Sequence, residues 1–440
     1  MSDSETSPRI SREILAGITT FASMAYILVV NPDMLAITGM DRAALVTATA
    51  LAAAAGSFLM ASMTGYPISL APGMGLNAFF TFTICGQLEV PWQGALAMVF
   101  WTGILFLVLS LTRFRESVVE SIPDPLKIGI QAGIGLFIFV IGLKNLGLFT
   151  DPAPHFPALR PADPAGIPIV PLLLAAFGCL VVILLRKKKV AGAILYAIVL
   201  ATVAGLFLKS GGKPITESPD SVVSLPPSLS PVFLQVDWLY PFRHWETLWV
   251  AMLTLFFVDL FDSIGTLIGV TERARLVDES GRLPKMKQAL AADAGATSIG
   301  ACFGVSTTTA YIESATGVEA GGRTGLTSVV AGSCFLLALF FYPLLAVIPA
   351  AAVAPALLVV GVLMMQNLGK LKKTSWQALV AAIAIVVLIP LNFQIAEGIA
   401  GGCVVYTILM VLSGRAKEIH WFLAVLSILF AVRFVSDFVN

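Results

Sequence analysis

Twelve long apolar runs punctuate the chain, near residues 13-35, 42-64, 92-112, 124-148, 169-186, 190-208, 246-270, 286-304, 324-347, 352-368, 375-391 and 394-413. Roughly 20 apolar residues in a helix cross about 30 Å of hydrocarbon. In lipid each backbone N–H and C=O must find its partner inside the chain, which leaves helices or closed barrels. Runs of this length select helices, so an all-α polytopic membrane protein is expected. Composition agrees: 12% of residues are charged, against about 25% in an ordinary soluble domain, and mean hydropathy is +0.91. A net charge of +1 offers no basic face. A soluble enzyme, a disordered regulator and a nucleic-acid binder are thereby excluded. The first run follows Ser7-Pro8-Arg9-Ile10-Ser11-Arg12-Glu13 and continues past Tyr26 without a small-residue cleavage site. It therefore reads as a span rather than a signal peptide. Cys85, Cys179, Cys302, Cys334 and Cys403 are scattered through apolar runs and supply neither a disulfide framework nor a CxxC site.

Two further segments, near 72-86 and 306-318, are short and broken, as in Ala71-Pro72-Gly73-Met74-Gly75-Leu76-Asn77 and Ser306-Thr307-Thr308-Thr309-Ala310-Tyr311. Counting both gives fourteen spans. With the N-terminus inside, the inner loops then hold 21 of the 27 Lys and Arg residues, including Arg9, Arg12, Arg113, Arg115, Arg186 to Lys189, Arg275, Arg282 and Lys370 to Lys373. That is the bias expected of cytoplasmic loops. Dropping either short segment would invert every following span and scatter the basic loops. Residues 414-440 read as a cytoplasmic interfacial or re-entrant helix, with a fifteenth span as the alternative.

Ala50-Leu51-Ala52-Ala53-Ala54-Ala55-Gly56 recurs as Ala289-Leu290-Ala291-Ala292-Asp293-Ala294-Gly295, a shift of 239 residues that also carries Gly65 onto Gly304. Asn145-Leu146-Gly147 is echoed by Asn367-Leu368-Gly369. Two related halves of seven spans must have opposite orientations. An inverted repeat with a broken helix in each half is a transporter architecture, with its binding site near the midplane. The expected division is 1-208 and 246-413 for the two repeats, 209-245 for an outer linker and 414-440 for the terminal helix.

Charged groups at mid-membrane cost about 2.5 to 3.5 kcal/mol even on the gentler insertion scales, so they are functional candidates by default. Asp259 and Asp262 fall in the eighth span, Asp293 in the ninth and Glu313 in the tenth, with no Lys or Arg in those stretches at similar depth. Because a proton removes the cost of an unpaired buried charge, such acids suit proton uptake and release. Asp259 and Asp262 share a helical face. Asp262 adjoins Ser263, Gly265 and Thr266, and Glu313 follows a Thr-rich break, whereas Asp259 and Asp293 could equally serve only as partners for neighbouring hydroxyl or backbone groups. Asp259-x-x-Asp262 as a Mg²⁺ site for a prenyl-diphosphate enzyme would want basic partners for the pyrophosphate. His155, His244 and His420 fall in loops or at an edge, which supports neither a zinc protease nor a haem protein. Gly73-x-Gly75 opens an apolar half-helix rather than a phosphate loop; its glycines allow close backbone approach to a ligand.

Several motifs are recognisable together: Glu13 to Phe21 with Met24-Ala25-Tyr26-Ile27 and Asn31-Pro32; Pro72 to Ala78; Asp262-Ser263-Ile264-Gly265-Thr266; and Thr307 to Gly317 with Gly321 to Leu326. From about 10 to 415 the chain resembles the Azg-type purine permeases of the nucleobase transporter superfamily. The resemblance implies two inverted seven-span repeats, a core domain (about 13-112 plus 246-347) and a gate domain (about 124-208 plus 352-413). It also implies short strands in the third and tenth segments and proton-driven nucleobase uptake. Family acids on the eighth and tenth spans match Asp262 and Glu313. In the uracil branch the eighth-span acid is Glu followed by His-x-Gly-His; here Asp262 is followed by Ser-Ile-Gly-Thr, which leaves room for a bicyclic base.

The implied substrate site comprises Glu313, Asp262, Ala310, Tyr311, Ile312, Gly73, Met74, Gly75, Asn77, Thr20 and Phe261, with Phe79 also able to cover a ring face. Proton coupling falls to Asp262, Glu313 and Asp259. Expected partners are a purine nucleobase, protons and membrane lipids; a homodimer is compatible with the reading, and neither cofactor nor metal is expected. Sulfate and bicarbonate transporters share the superfold, but an anion would want positive charge beside the half-helices. The expected location is the cytoplasmic membrane, with both termini inside.

Overall fold

The computed structural model describes residues 10–112, 122–148, 169–274, 276, 283–392 and 395–439. All twelve apolar runs are helical, and among the described residues nine helices are long and apolar enough to cross a membrane. Arg9, Arg113, Arg115, Arg275, Arg282 and His155 lie outside the described residues.

The chain forms two compact units, residues 1–111 with 168–356 and residues 112–167 with 357–440. The first unit begins with α1 (Ile10–Met24) and α2 (Ile27–Leu35). Between them the helix tightens at Ala25 and Tyr26, where Leu28 and Val29 donate to carbonyls three residues back. There follow α3 (Arg42–Thr64), β1 (Leu70–Pro72), α4 (Met74–Ala78), a wider π-helical stretch (Phe79–Gln87) and α5 (Trp92–Leu111). Asp41 caps α3 by accepting from the Ala44 N–H at 2.7 Å. α7 (Ile169–Lys187) and α8 (Ala193–Phe207), assigned to the gate in the sequence reading, fall in this unit, as does the hairpin of β2 (Lys209–Ser210) and β3 (Lys213–Pro214). Helix α6 (Asp124–Asn145) falls in the second unit.

The second half of the first unit runs through α9 (Trp245–Ala274), α10 (Met286–Phe303), β4 (Thr308–Ala310), α11 (Ser314–Glu319) and α12 (Gly325–Ala338). Lipid is as apolar as a leucine side chain, so helices in it associate by close packing of small residues rather than by hydrophobic expulsion. The repeat supplies such residues: Gly56 of α3 faces Ala296, and its counterpart Gly295 of α10 faces Leu59, where the two helices meet, and Ala50, Ala53, Ala292 and Ala294 are fully buried. The repeat is visible in the backbone too. Gly65 (φ 72°) and Gly304 (φ 96°), 239 residues apart, end α3 and α10 in the left-handed conformation that glycine adopts without strain.

β1 and β4 pair antiparallel, Leu70 with Ala310, Ala71 with Thr309 and Pro72 with Thr308. The crossing is extended by Gly73 N–H donating to the Thr307 carbonyl at 2.9 Å and Tyr311 N–H donating to the Ser69 carbonyl at 3.1 Å. β1 leads through Gly73 into the half-helix α4, and β4 leads through Tyr311, Ile312 and Glu313 into the half-helix α11. The broken segments thus satisfy each other's backbone, which is what permits extended chain at membrane depth.

In the second unit α6 packs on α14 (Trp376–Asn392), which packs on α15 (Ile395–Leu412). The label α13 is given to Ala350–Met364, whose last residues, from Leu357, belong to this unit. The sequence echo at 145–147 and 367–369 does not extend to conformation. Gly147 follows α6 with φ 71°, whereas Gly369 lies inside a 3-10 stretch, Met365–Lys373. The terminal helix, α16 (Trp421–Val439), packs on α15, where Ser427 Oγ donates to the Cys403 carbonyl at 3.1 Å.

Candidate functional site

The four acids near the strand crossing sort into two settings by burial. Asp259 and Asp293 are fully buried, at 0% exposure, while Asp262 and Glu313 are half-buried. Asp293, from α10, has both carboxylate oxygens engaged. Oδ1 accepts from the Ala310 N–H at 2.8 Å, and Oδ2 accepts from Ser263 Oγ at 2.5 Å. Because the single Ser263 proton is committed there, Thr309 Oγ1, 2.8 Å away, is the donor in the Ser263–Thr309 bond. One carboxylate therefore ties α9, α10 and β4 together. Asp259 Oδ2 accepts from Thr297 Oγ1 at 3.3 Å, a hydroxyl that also lies 3.1 Å from the Thr308 carbonyl. Among the described residues Asp259 Oδ1 is buried without a partner.

Asp262 is one turn beyond Asp259 but faces outward from this layer. Three residues on, Gly265 is exposed, and a side chain built there would meet nothing within 4 Å. Ile312, between the strand and α11, is 48% exposed and approaches Gly269 of α9. Asp262 and Glu313 lie within electrostatic reach of each other across this open face. Glu313 Oε1 accepts from Tyr26 Oη at 2.9 Å.

Helix α1 is fastened to α11 along its length. Thr20 packs on Gly317, where an added Cβ would come within 2.0 Å of Thr20 Oγ1, and the Ser23 and Thr316 hydroxyls are 3.0 Å apart. Near its start, Glu13 is buried and accepts from Arg323 N–H, Thr324 N–H and Thr327 Oγ1, at 3.0, 3.3 and 2.5 Å. A carboxylate at the head of α12 also meets the positive end of that helix.

The residues named from sequence are distributed unevenly. Asp262, Ile312 and Glu313 share the open face, and Phe261, half-buried, stacks on Phe257 with ring centroids 5.9 Å apart. Ala310, Tyr311 and Gly73 build the crossing, and their backbone N–H groups are committed to Asp293, Ser69 and Thr307. Tyr311 Oη donates to the Pro72 carbonyl at 2.5 Å. Met74 and Gly75 open α4, Met74 buried and Gly75 half-buried. Asn77 is fully buried, accepting from Ser306 through Oδ1. Thr20 and Phe79 are also fully buried.

The sequence alone assigns no role to Tyr26, Ser263, Thr297 or Thr309, although all but Thr297 stand inside the quoted motifs. Arg186, counted there only as a topology signal, reaches Glu313 electrostatically from the last turn of α7.

The sequence pattern of the Permease family matches residues 11–400. The chain is a member of that family. The permease is similar to the guanine/hypoxanthine permease PbuG of Bacillus subtilis, 41% identical over 439 residues that cover 96% of each chain. It is also similar to the adenine permease AdeP of Escherichia coli, 39% identical over 426 residues covering 96% of this chain and 92% of AdeP. The transmembrane domain of the cyanobacterial bicarbonate transporter BicA has the same fold at a TM-score of 0.66 and 18% identity, over 89% of this chain and 96% of that one. Murine Slc26a9 gives 0.64 at 13% identity, over 94% and 70%. The resemblance to nucleobase permeases read from the motifs therefore holds, and the chain is a polytopic membrane transporter rather than an enzyme.

Proposed function

We propose that this permease imports purine nucleobases into the cell by proton symport across the cytoplasmic membrane, with both termini inside. The observation that carries the reading is the pair of half-buried acids, Asp262 and Glu313, beside an open glycine and at the mouth of a half-helix. A purine presents ring N–H donors that a carboxylate accepts, and an apolar face that Phe261 and Ile312 can cover. A neutral base needs no fixed cation to hold it. Names of relatives divide between guanine/hypoxanthine and adenine, so the 6-oxopurines and adenine are the bases to compare.

Glu313 recognises the ring N–H edge. Asp262 is the coupling acid. Loaded with a proton and a neutral base, the site carries no unpaired charge through the low-dielectric barrier; empty and deprotonated, it is drawn back by the membrane potential. Asp259, sealed by Thr297, is the third acid to test. The purified protein in liposomes should accumulate labelled guanine, hypoxanthine or adenine when the outside is made acidic, and collapse of the gradient should release the base. Absence of uptake across the panel, with or without a gradient, would refute the proposal.

A further inference from the structure

Glu313 cannot read a ligand with all of its acceptor capacity, because Tyr26 already occupies part of it. An ionised carboxylate offers about four lone-pair sites. Tyr26 Oη takes one on Oε1 at 2.9 Å. The lone pairs that remain are enough to meet two adjacent N–H groups on one edge of a base.

Tyr26 is well placed to keep that arrangement fixed. Its ring is 1% exposed, and it sits where α1 tightens into α2. On the α1 side the contacts of Thr20 with Gly317 and of Ser23 with Thr316 prevent the two elements from sliding apart. The terminal torsion of a glutamate is broad and roughly two-fold. Without a fixed donor, the carboxyl would turn among orientations that meet a ligand edge poorly, and binding would have to order it.

We propose that Tyr26 is a positioning residue that locks the Glu313 carboxyl in one rotation, so that the remaining acceptor sites meet a paired N–H edge of the bound base. The inference rests on the proposed recognition of nucleobases by Glu313 and adds selectivity to it. A base with two adjacent donors, such as guanine, gains from the lock. Hypoxanthine, with a single donor on that edge, gains less.

The test is a double-mutant cycle in lipid nanodiscs, with guanine and hypoxanthine affinities measured for the parent protein, Tyr26→Phe, Glu313→Gln and the double variant. Tyr26→Phe should weaken guanine binding about tenfold, hypoxanthine binding about threefold, and neither by more than about twofold once Glu313 is Gln. Equal losses for both bases, or the same loss in both Glu313 backgrounds, would overturn the inference, because a general packing defect behaves that way. The infrared carboxyl bands assigned to Glu313, by difference from Glu313→Gln, give a second reading without any ligand. They should shift and broaden in Tyr26→Phe; an unchanged band would also overturn the inference. If the parent protein binds no nucleobase, the proposed function fails, and the infrared comparison still decides the role of Tyr26.

Discussion

Beneath the strand crossing and on its open face, the permease holds the same chemical group in two conditions. Asp293 and Asp259 are sealed under β4, against Ser263, Thr309 and Thr297. Asp262 and Glu313 stand half-exposed above it. The difference teaches that depth in a membrane protein is a poor guide to function by itself. Asp293, with both carboxylate oxygens engaged, ties three elements together, whereas among the described residues Asp259 keeps one buried oxygen without a partner and Glu313 keeps acceptor capacity beside the bond from Tyr26.

The sharpest way to break this comparison is to remove a sealed acid. Asp293→Ala strands the Ala310 N–H, at about 1–3 kcal/mol for a buried donor left unpaired, and leaves Ser263 only Thr309 as a hydroxyl partner. Folded yield and thermal stability should drop steeply. Asp293→Asn should recover most of the loss, since the amide keeps an acceptor for Ala310 and can donate to Ser263; thermal unfolding in detergent checks both variants. Recovery that fails in Asp293→Asn would mean that the charge itself matters there.

Next in size is Gly317→Ala. Its Cβ would come within 2.0 Å of Thr20 Oγ1 and 2.7 Å of the Ala16 carbonyl, so α1 must move off α11. Uptake should fall at least tenfold even in protein that still inserts. An unaffected variant would show that the α1–α11 fastening is not needed to hold Glu313.

On the open face the expected effects are on ligand rather than on fold. Glu313→Gln replaces half the acceptor with a donor and should weaken base binding about tenfold, equivalent to about 1.4 kcal/mol, while leaving the melting temperature near that of the parent. Smallest of all is Gly265→Ala. Beyond the neighbouring backbone of its own helix, its added methyl group meets nothing within 4 Å, so stability should not fall, and affinity should shift by no more than about threefold. A large loss of stability there would mean that the face is covered by protein.

Much of this was legible before any coordinates. Twelve apolar runs become helices because lipid leaves the backbone no other partner. The 239-residue shift is legible because Gly56 and Gly295, which repeat at that spacing, stand where α3 and α10 approach each other. The sorting of the acids was legible in part, from the small polar neighbours of Asp262 and the Thr-rich break before Glu313. The partners were not: Asp259 and Asp262 are three residues apart on one helix, and the sequence does not show that Thr297 and β4 lie against Asp259. Thr20, expected at the ligand, packs beside Gly317, a contact between residues nearly 300 positions apart that the sequence does not show. Tyr26 lay in plain view in a motif, but the hydrogen bond that gives it meaning depends on the fold of the distant arm. Arg186 likewise reads as an ordinary inner-loop cation until α7 brings it toward Glu313.

The central claim is that the open acids run the transport cycle while the sealed acids hold the site in shape. Its most direct test compares Asp262→Asn with Asp259→Asn in liposomes, following both exchange of labelled base at equilibrium and uphill accumulation under an inward proton gradient. Asp262→Asn, fixed in the neutral form, should exchange base across the membrane and accumulate none, whereas Asp259→Asn should still accumulate it. Proton-driven accumulation that persists in Asp262→Asn and disappears in Asp259→Asn would contradict the account and move the coupling proton beneath the strands.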